Sequence, residues 1–233
     1  MGNCFTPRDP LDDVLPRDSG IDASAVRESD IPIICLIGGP GSGKLTQTKM
    51  VTDKFRLLNI IATEILREEV HTRSVRGVVL ARYMSQGRLV PADVLIELIK
   101  ARMLANLNTA RGFFLTGFPR EKDQGKLFEK QVKPIDLVIY LSARNSVLRD
   151  RVMAKAVTIS DNRETSNEAV KERIKEFHKM TNPLLRYYKK KLLVVDAEKD
   201  DQTVFAQICP AIEKVLKKEP KVEAQSIAQT SGV

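Results

Sequence analysis

Short, almost continuous apolar runs recur along the chain at residues 33–37, 59–61, 113–116, 137–141 and 192–196. A strand covered on both faces reads this way, because neither of its side-chain rows meets water. Segments with helical spacing separate the runs, at 45–56, 74–86, 91–107, 145–154, 167–179 and 201–217. Pro91 opens one of them, where the missing N–H costs nothing. The alternation predicts an α/β fold, a five-stranded parallel sheet with helices on both faces. Such sheets receive ligands at the carboxyl ends of their strands.

The two ends differ from this middle. Residues 1–30 carry seven acids against three arginines, with Pro7, Pro10 and Pro16, and follow neither period. They read as an acidic flexible tether, with structure starting near Ile31. Residues 217–233 lose periodicity and read as a frayed tail, which leaves 31–216 as the folded domain. With 42% hydrophobic residues in 233 the chain can bury one sizeable core, which excludes disorder and collagen. No run approaches the roughly 20 apolar residues of a membrane span. Cys4, Cys35 and Cys209 have no paired spacing, and His71 and His178 have no ligand partners in register, so disulfide and zinc frameworks are excluded. The net charge of +8 combines −4 in residues 1–30 with +12 in the remainder, so the folded part is the basic part. With no Trp and 5% aromatics there is little for base stacking, so the positive field suits a small phosphorylated ligand and no nucleic acid partner is expected.

Directly after the first run stands Gly38-Gly39-Pro40-Gly41-Ser42-Gly43-Lys44-Leu45-Thr46, the G-x-x-x-x-G-K pattern of a phosphate-binding loop. Its glycines let backbone N–H groups converge on phosphate oxygens, the following helix adds its dipole, and Lys44 adds a full charge. The usual Ser or Thr after the lysine is Leu45, so a hydroxyl for magnesium has to come from Thr46.

The loop, together with Leu66-Arg67-Glu68-Glu69-Val70, Gly87-Arg88-Leu89-Val90-Pro91, Gly117-Phe118-Pro119-Arg120 and Asp196-Ala197-Glu198, resembles the adenylate kinases of the short-lid, cytosolic type. The likeness covers roughly residues 31–216. It implies a P-loop nucleoside triphosphate hydrolase-type fold, a helical monophosphate-binding arm over about 62–91, a short lid over about 155–166, and phosphoryl transfer from Mg-ATP to AMP. By match to the family pattern, Gly41, Ser42, Gly43, Lys44, Leu45 and Thr46 face ATP, with Lys199 near the adenine. Ala62, Arg67, Arg88, Leu89, Val90, Gly117, Phe118, Pro119, Arg120 and Gln124 face the monophosphate. Arg173, with Arg163, reaches the moving phosphoryl group. Gln124 points to an adenine edge, whereas Ala62, where threonine is usual, resembles the pyrimidine monophosphate kinases.

The departures bear on catalysis. Thr116 stands where the family has the aspartate that anchors hydrated magnesium, leaving Thr46 and Thr116 as weak metal candidates. In the lid, Ala156 and Asn162 stand for two arginines, with Lys155 or Arg151 as partial substitutes for one and Arg163 for the other. A degenerate nucleotide-binding or interaction protein is therefore the alternative to an enzyme. Met1-Gly2-Asn3-Cys4-Phe5-Thr6 matches the N-myristoylation pattern at Gly2, with Cys4 placed for palmitoylation, an address at the cytosolic face of a membrane. Thr230-Ser231-Gly232-Val233 has the shape of a carboxyl-terminal ligand for a PDZ-type partner. The family resemblance otherwise implies a cytoplasmic monomer.

Overall fold

A computed structural model describes Leu15, residues 20–159 and residues 166–217. Strands β1 (Ile33–Gly38), β2 (Leu58–Ile61), β3 (Phe113–Thr116), β4 (Leu137–Ser142) and β5 (Leu192–Asp196) form one parallel sheet in the order β2-β3-β1-β4-β5. All six residues of β1 are buried, which accounts for the first apolar run. Register pairs Leu36 with Thr116 on one side and with Ile139 on the other. The chain leaves β1 towards β2, then crosses back from β3 to β4, so the crevice beyond the end of β1 is the switch point where a ligand fits.

The period of two within β1 sorts its side chains between two cores. Ile34 and Leu36 join Ile139 and Leu141 beneath α2 (Lys44–Phe55) and α9 (Asp201–Leu216), which contribute Val51, Phe55, Ile208 and Ile212. Ile33, Cys35 and Ile37 face the other core, built with α3 (Ala62–His71), α4 (Val75–Ser85), α5 (Ala92–Ala105), α6 (Lys122–Gln131) and the end of α8 (Asn167–Tyr187). Burying both rows of side chains this way is what stabilises a parallel strand.

The folded chain begins before Ile31, which corrects the reading of residues 20–30 as tether. Helix α1 (Ser24–Glu28) buries Val26 completely, and Arg27 donates from Nε to the Val132 carbonyl at 2.9 Å. Lys100 on α5 donates to the Ile21 carbonyl at 3.4 Å, and Leu15 is also buried. Two helix ends differ as well. Helix α7 (Asn145–Ile159) runs on through residues 155–159, the first part of the expected lid. Helix α8 continues past residue 179 and across Pro183 to Tyr187, its last turns held by buried Thr181 and Leu184.

Val26→Ala tests the docking of α1. It should lower unfolding stability by about 2 kcal/mol in a denaturant titration, the cost of deleting two buried methyl groups. A residue in a solvated tether would give no measurable change.

Candidate active site

The loop after β1 is shaped by close approach. Gly41 has φ 74° and Gly43 φ 83°, conformations that glycine adopts without strain. A Cβ on Gly41 would lie 2.6 Å from the Leu148 carbonyl of α7, so the loop lies directly on that helix. Gly43 is the N-cap of α2 and offers no capping side chain, which leaves the first-turn amides open to an anion. Lys44 folds back across the loop, its Nζ donating to the Gly38 carbonyl at 2.7 Å and the Gly39 carbonyl at 2.8 Å. Ser42 Oγ is buried without a partner, a polar atom facing into the same loop region. Gln47 Nε2 donates to the Asp201 carbonyl at 2.9 Å and ties α2 to the start of α9.

The second group comes from the end of β3. Gly117, at φ 77°, turns the chain out of the sheet. Phe118 is anchored edge-on to Phe128 at 5.4 Å, which fixes the turn from below. Arg120 is held at both ends: its N–H donates to Gln124 Oε1 at 2.9 Å, and its Nε to the Gly117 carbonyl at 3.3 Å. Gln124 is 2% exposed, so one oxygen of this candidate base reader holds the arginine loop, and its Nε2 has no hydrogen-bond partner among the described residues. Arg173 extends into solvent from α8, whose neighbouring Val170 and Ile174 are buried.

These cations act on one another. Burial and the charge of Arg120 bring Lys44 down to about 8. Burial and the charge of Arg173 hold Arg120 below the usual guanidinium range. Arg120 is reached by solvent yet hemmed in by protein, as a group on the floor of an open cleft is. Among the described residues no carboxylate contributes to either shift. Neighbouring cations of this kind attract a multiply charged anion.

The adenylate kinase family model matches residues 36–193. Adenylate kinase 1 of Drosophila melanogaster is 35% identical over 191 residues, which cover 82% of this chain and 83% of that protein. Adenylate kinase isoenzyme 1 of Homo sapiens is 35% identical over 182 residues (76% and 92%), and that of Gallus gallus 35% over 188 (78% and 95%). The chain belongs to the adenylate kinase family. It is a phosphotransferase whose family uses Mg-ATP.

The remaining residues expected of an adenylate kinase are distributed as follows. Ala62 is buried at the first position of α3, and Arg67 projects from the same helix with its side chain exposed. Arg88 lies over the Tyr83 ring at 5.0 Å, Leu89 is half-buried and Val90 buried. Leu45 is 55% exposed, and Thr46 and Lys199 are exposed. Arg163, Asn162, Gly2 and Cys4 lie outside the described residues. Ala156 continues α7. Arg151 cannot substitute for a lid arginine in this arrangement, because its Nη1 donates to the Ala197 carbonyl at 2.6 Å and its Nη2 reaches that of Glu198 at 3.4 Å.

One contact has no signal in the sequence. The hydroxyl of Thr116, at the end of β3, shares a 2.8 Å hydrogen bond with that of Thr48 on α2, and both residues are buried. Among the described residues no group of three or more His, Cys, Asp or Glu could hold a metal ion. Thr46, the metal candidate of the loop, is exposed at the start of α2, and its hydroxyl has no hydrogen-bond partner among the described residues.

The Lys44 shift has a pH consequence of definite sign. A lysine in the unfolded chain titrates near about 10.4, so the unfolded state holds the extra proton between about pH 8 and about 10.4. The contribution of this group to stability therefore rises with pH across that window. Binding a polyphosphate favours the ammonium and reverses the sign: ATP affinity should fall by up to about tenfold per pH unit above about 8. Calorimetry of ATP binding at several pH values checks this, and Lys44→Met should flatten the dependence.

Proposed function

We propose that this adenylate kinase family member transfers the γ-phosphoryl group of ATP to AMP, giving two ADP, and does so more slowly than a kinase with a full set of lid arginines. The observation that carries this reading is the phosphate-binding loop after β1, with Lys44 folded over its carbonyls and Arg120 tethered at the end of β3, in a chain of the adenylate kinase family. An oxygen of the AMP α-phosphate attacks the γ-phosphorus, and the bond from that phosphorus to the oxygen of the departing ADP breaks. Negative charge spreads over the equatorial oxygens of the group in flight, and positioned cations stabilise it more than they stabilise the ground state.

In this scheme the loop amides and Lys44 hold the β- and γ-phosphates, with Gly41, Ser42 and Gly43 supplying the backbone curvature. Arg67 and Arg120 bracket the monophosphate, and Arg173 follows the transferring group, its planar fork suited to two oxygens at once. Magnesium carried with ATP would shield charge on the phosphate oxygens, and the Thr46 hydroxyl would help to hold it. Gln124 holds the Arg120 backbone and turns its amide nitrogen towards the base. Ala62, smaller than the usual threonine, leaves room beside that base, so pyrimidine monophosphates are the competitors to assay against AMP.

A second reading, nucleotide binding without turnover, is favoured by one contact: the Thr116 hydroxyl is committed to Thr48, and a neutral hydroxyl holds a hydrated cation less firmly than a carboxylate. A coupled assay with ATP, AMP and magnesium separates the two. Measurable turnover that falls about 10³-fold in Arg173→Ala, with ATP affinity kept within about threefold, is the outcome expected of an enzyme. Thermal shifts with nucleotide and no ADP formed would establish the second reading instead.

We further propose that Gly2 carries a myristoyl group and Cys4 a palmitoyl group. The support is the Met1-Gly2-Asn3-Cys4-Phe5-Thr6 pattern, and two chains are needed because one holds only marginally. No helix among the described residues is long and apolar enough to cross a membrane. Gly2→Ala should move the expressed protein from the membrane pellet to the supernatant on cell fractionation. An unchanged distribution would remove the lipid assignment.

A further inference from the structure

A groove of about 430 Å³ runs along the outer side of the α3–α4 hairpin, lined by Val70, Gly77, Val78 and Ala81 with Arg73 and Arg82. Its floor is apolar and unusually bare for a small surface helix. Val78 is 50% exposed, and Val75, one turn earlier on α4, is 65% exposed. Neither guanidinium group has a hydrogen-bond or ion-pair partner among the described residues. The carboxylates that could have served them are committed elsewhere: Glu69 accepts from Arg76 at 2.9 Å and from Ser74 at 3.0 Å, and Glu68 pairs with Arg102. Arg73 follows the C-cap of α3 at φ 55°, a position where glycine is usual, so this cation stands where the backbone would favour a residue without a side chain. Apolar surface between unpaired cations fits an apolar side chain flanked by carboxylates.

The chain itself has such a segment. Residues 1–14 contain Asp9, Asp12 and Asp13 against a single Arg8, with Leu11 among the aspartates. This segment joins the fold at Leu15, buried in the same core that holds Leu66 of α3 and Val79 and Leu80 of α4. Helix α5 links the two regions: Lys100 donates to the Ile21 carbonyl and Arg102 pairs with Glu68 on α3. Fourteen extended residues reach about 45 Å, ample for a segment starting on this side of the sheet.

We propose that the groove of the α3–α4 hairpin receives the chain's own first fourteen residues, Leu11 seated on Val78 and the aspartates paired with Arg73 and Arg82. Occupancy staples the N-terminal segment to the arm, so that any group carried near residue 2 and the movement of the hairpin become linked. The interaction is mainly between surface charges and weakens with salt.

Trypsin cleavage after Arg8 in the full-length protein reads the docking directly, because cleavage follows the undocked population. Val78→Asp, and separately the pair Arg73→Glu and Arg82→Glu, should each speed that cut roughly fivefold at low salt, with the N-terminal sequence untouched. These residues are exposed or line the open groove, so both variants should keep the parent's unfolding midpoint. In parallel, the methyl resonances of Val75 and Val78 should move when Asp9, Asp12 and Asp13 are changed together to Asn. Equal cleavage rates in the parent and both variants, or methyl resonances indifferent to the Asn changes, would overturn the proposal. So would resonances that move only with protein concentration, which would identify a second copy as occupant, or only with phosphatidylserine vesicles, which would identify a membrane.

Discussion

Three cations near one phosphate loop, with no carboxylate partner among the described residues, are the constraint to which the rest of this fold answers. Lys44, Arg120 and Arg173 come from a loop after β1, a loop after β3 and the face of α8, where burial first and a neighbouring positive charge second hold Lys44 and Arg120 below their ordinary ranges. The Gly38 and Gly39 carbonyls that accept from Lys44, and the Gly117 carbonyl that accepts from Arg120, offset part of that repulsion, and the scaffold holds against the rest. The burial of all six β1 residues, the Phe118–Phe128 contact and the Gln124 bond to the Arg120 backbone all fix backbone that would otherwise relax away from the charge. The arrangement becomes favourable when a polyanion arrives, which is how a binding site stores its complementarity before the ligand is present.

The same view explains why the scaffold is a parallel sheet. A central strand flanked on both sides delivers the ends of β1 and β3 to one crevice, where they can share a ligand. The Thr48–Thr116 hydrogen bond then couples those two ends from beneath, joining the helix behind Lys44 to the strand that leads to Arg120. Being buried and neutral, the pair fixes spacing without adding charge, and either hydroxyl alone would be a desolvated group with no partner.

Much of this was legible in the residue order, for a physical reason. Strands buried on both faces must be largely apolar, so β1 and β3 fall on the apolar runs, and a phosphate loop is contiguous by construction, so its glycines and lysine stand side by side. What could not be read depends on distance or brevity. Helix α1 spans five residues and buries one of them, too few to show a period. Helix α6 is written mostly in Lys, Gln and Glu, its buried face reduced to Gln124, Gly125 and Phe128. The Thr48–Thr116 bond joins residues 68 positions apart, and the Arg151 bonds to the Ala197 and Glu198 carbonyls span 46 and 47. Arg151 in particular looks like a spare lid cation in the sequence and is a strut in the fold.

The resting posture of Lys44 sets a threshold for entry. Its ammonium already spends two donors on the Gly38 and Gly39 carbonyls, so a visitor has to outbid a pair of neutral acceptors before it is held. Chloride or a lone carboxylate offers few bonds in exchange, whereas a tail of linked phosphates supplies several at once, with both donor and acceptor ionised. The cost of freeing this ammonium therefore weighs more on a singly charged anion than on a polyphosphate, before any part of the nucleoside is engaged.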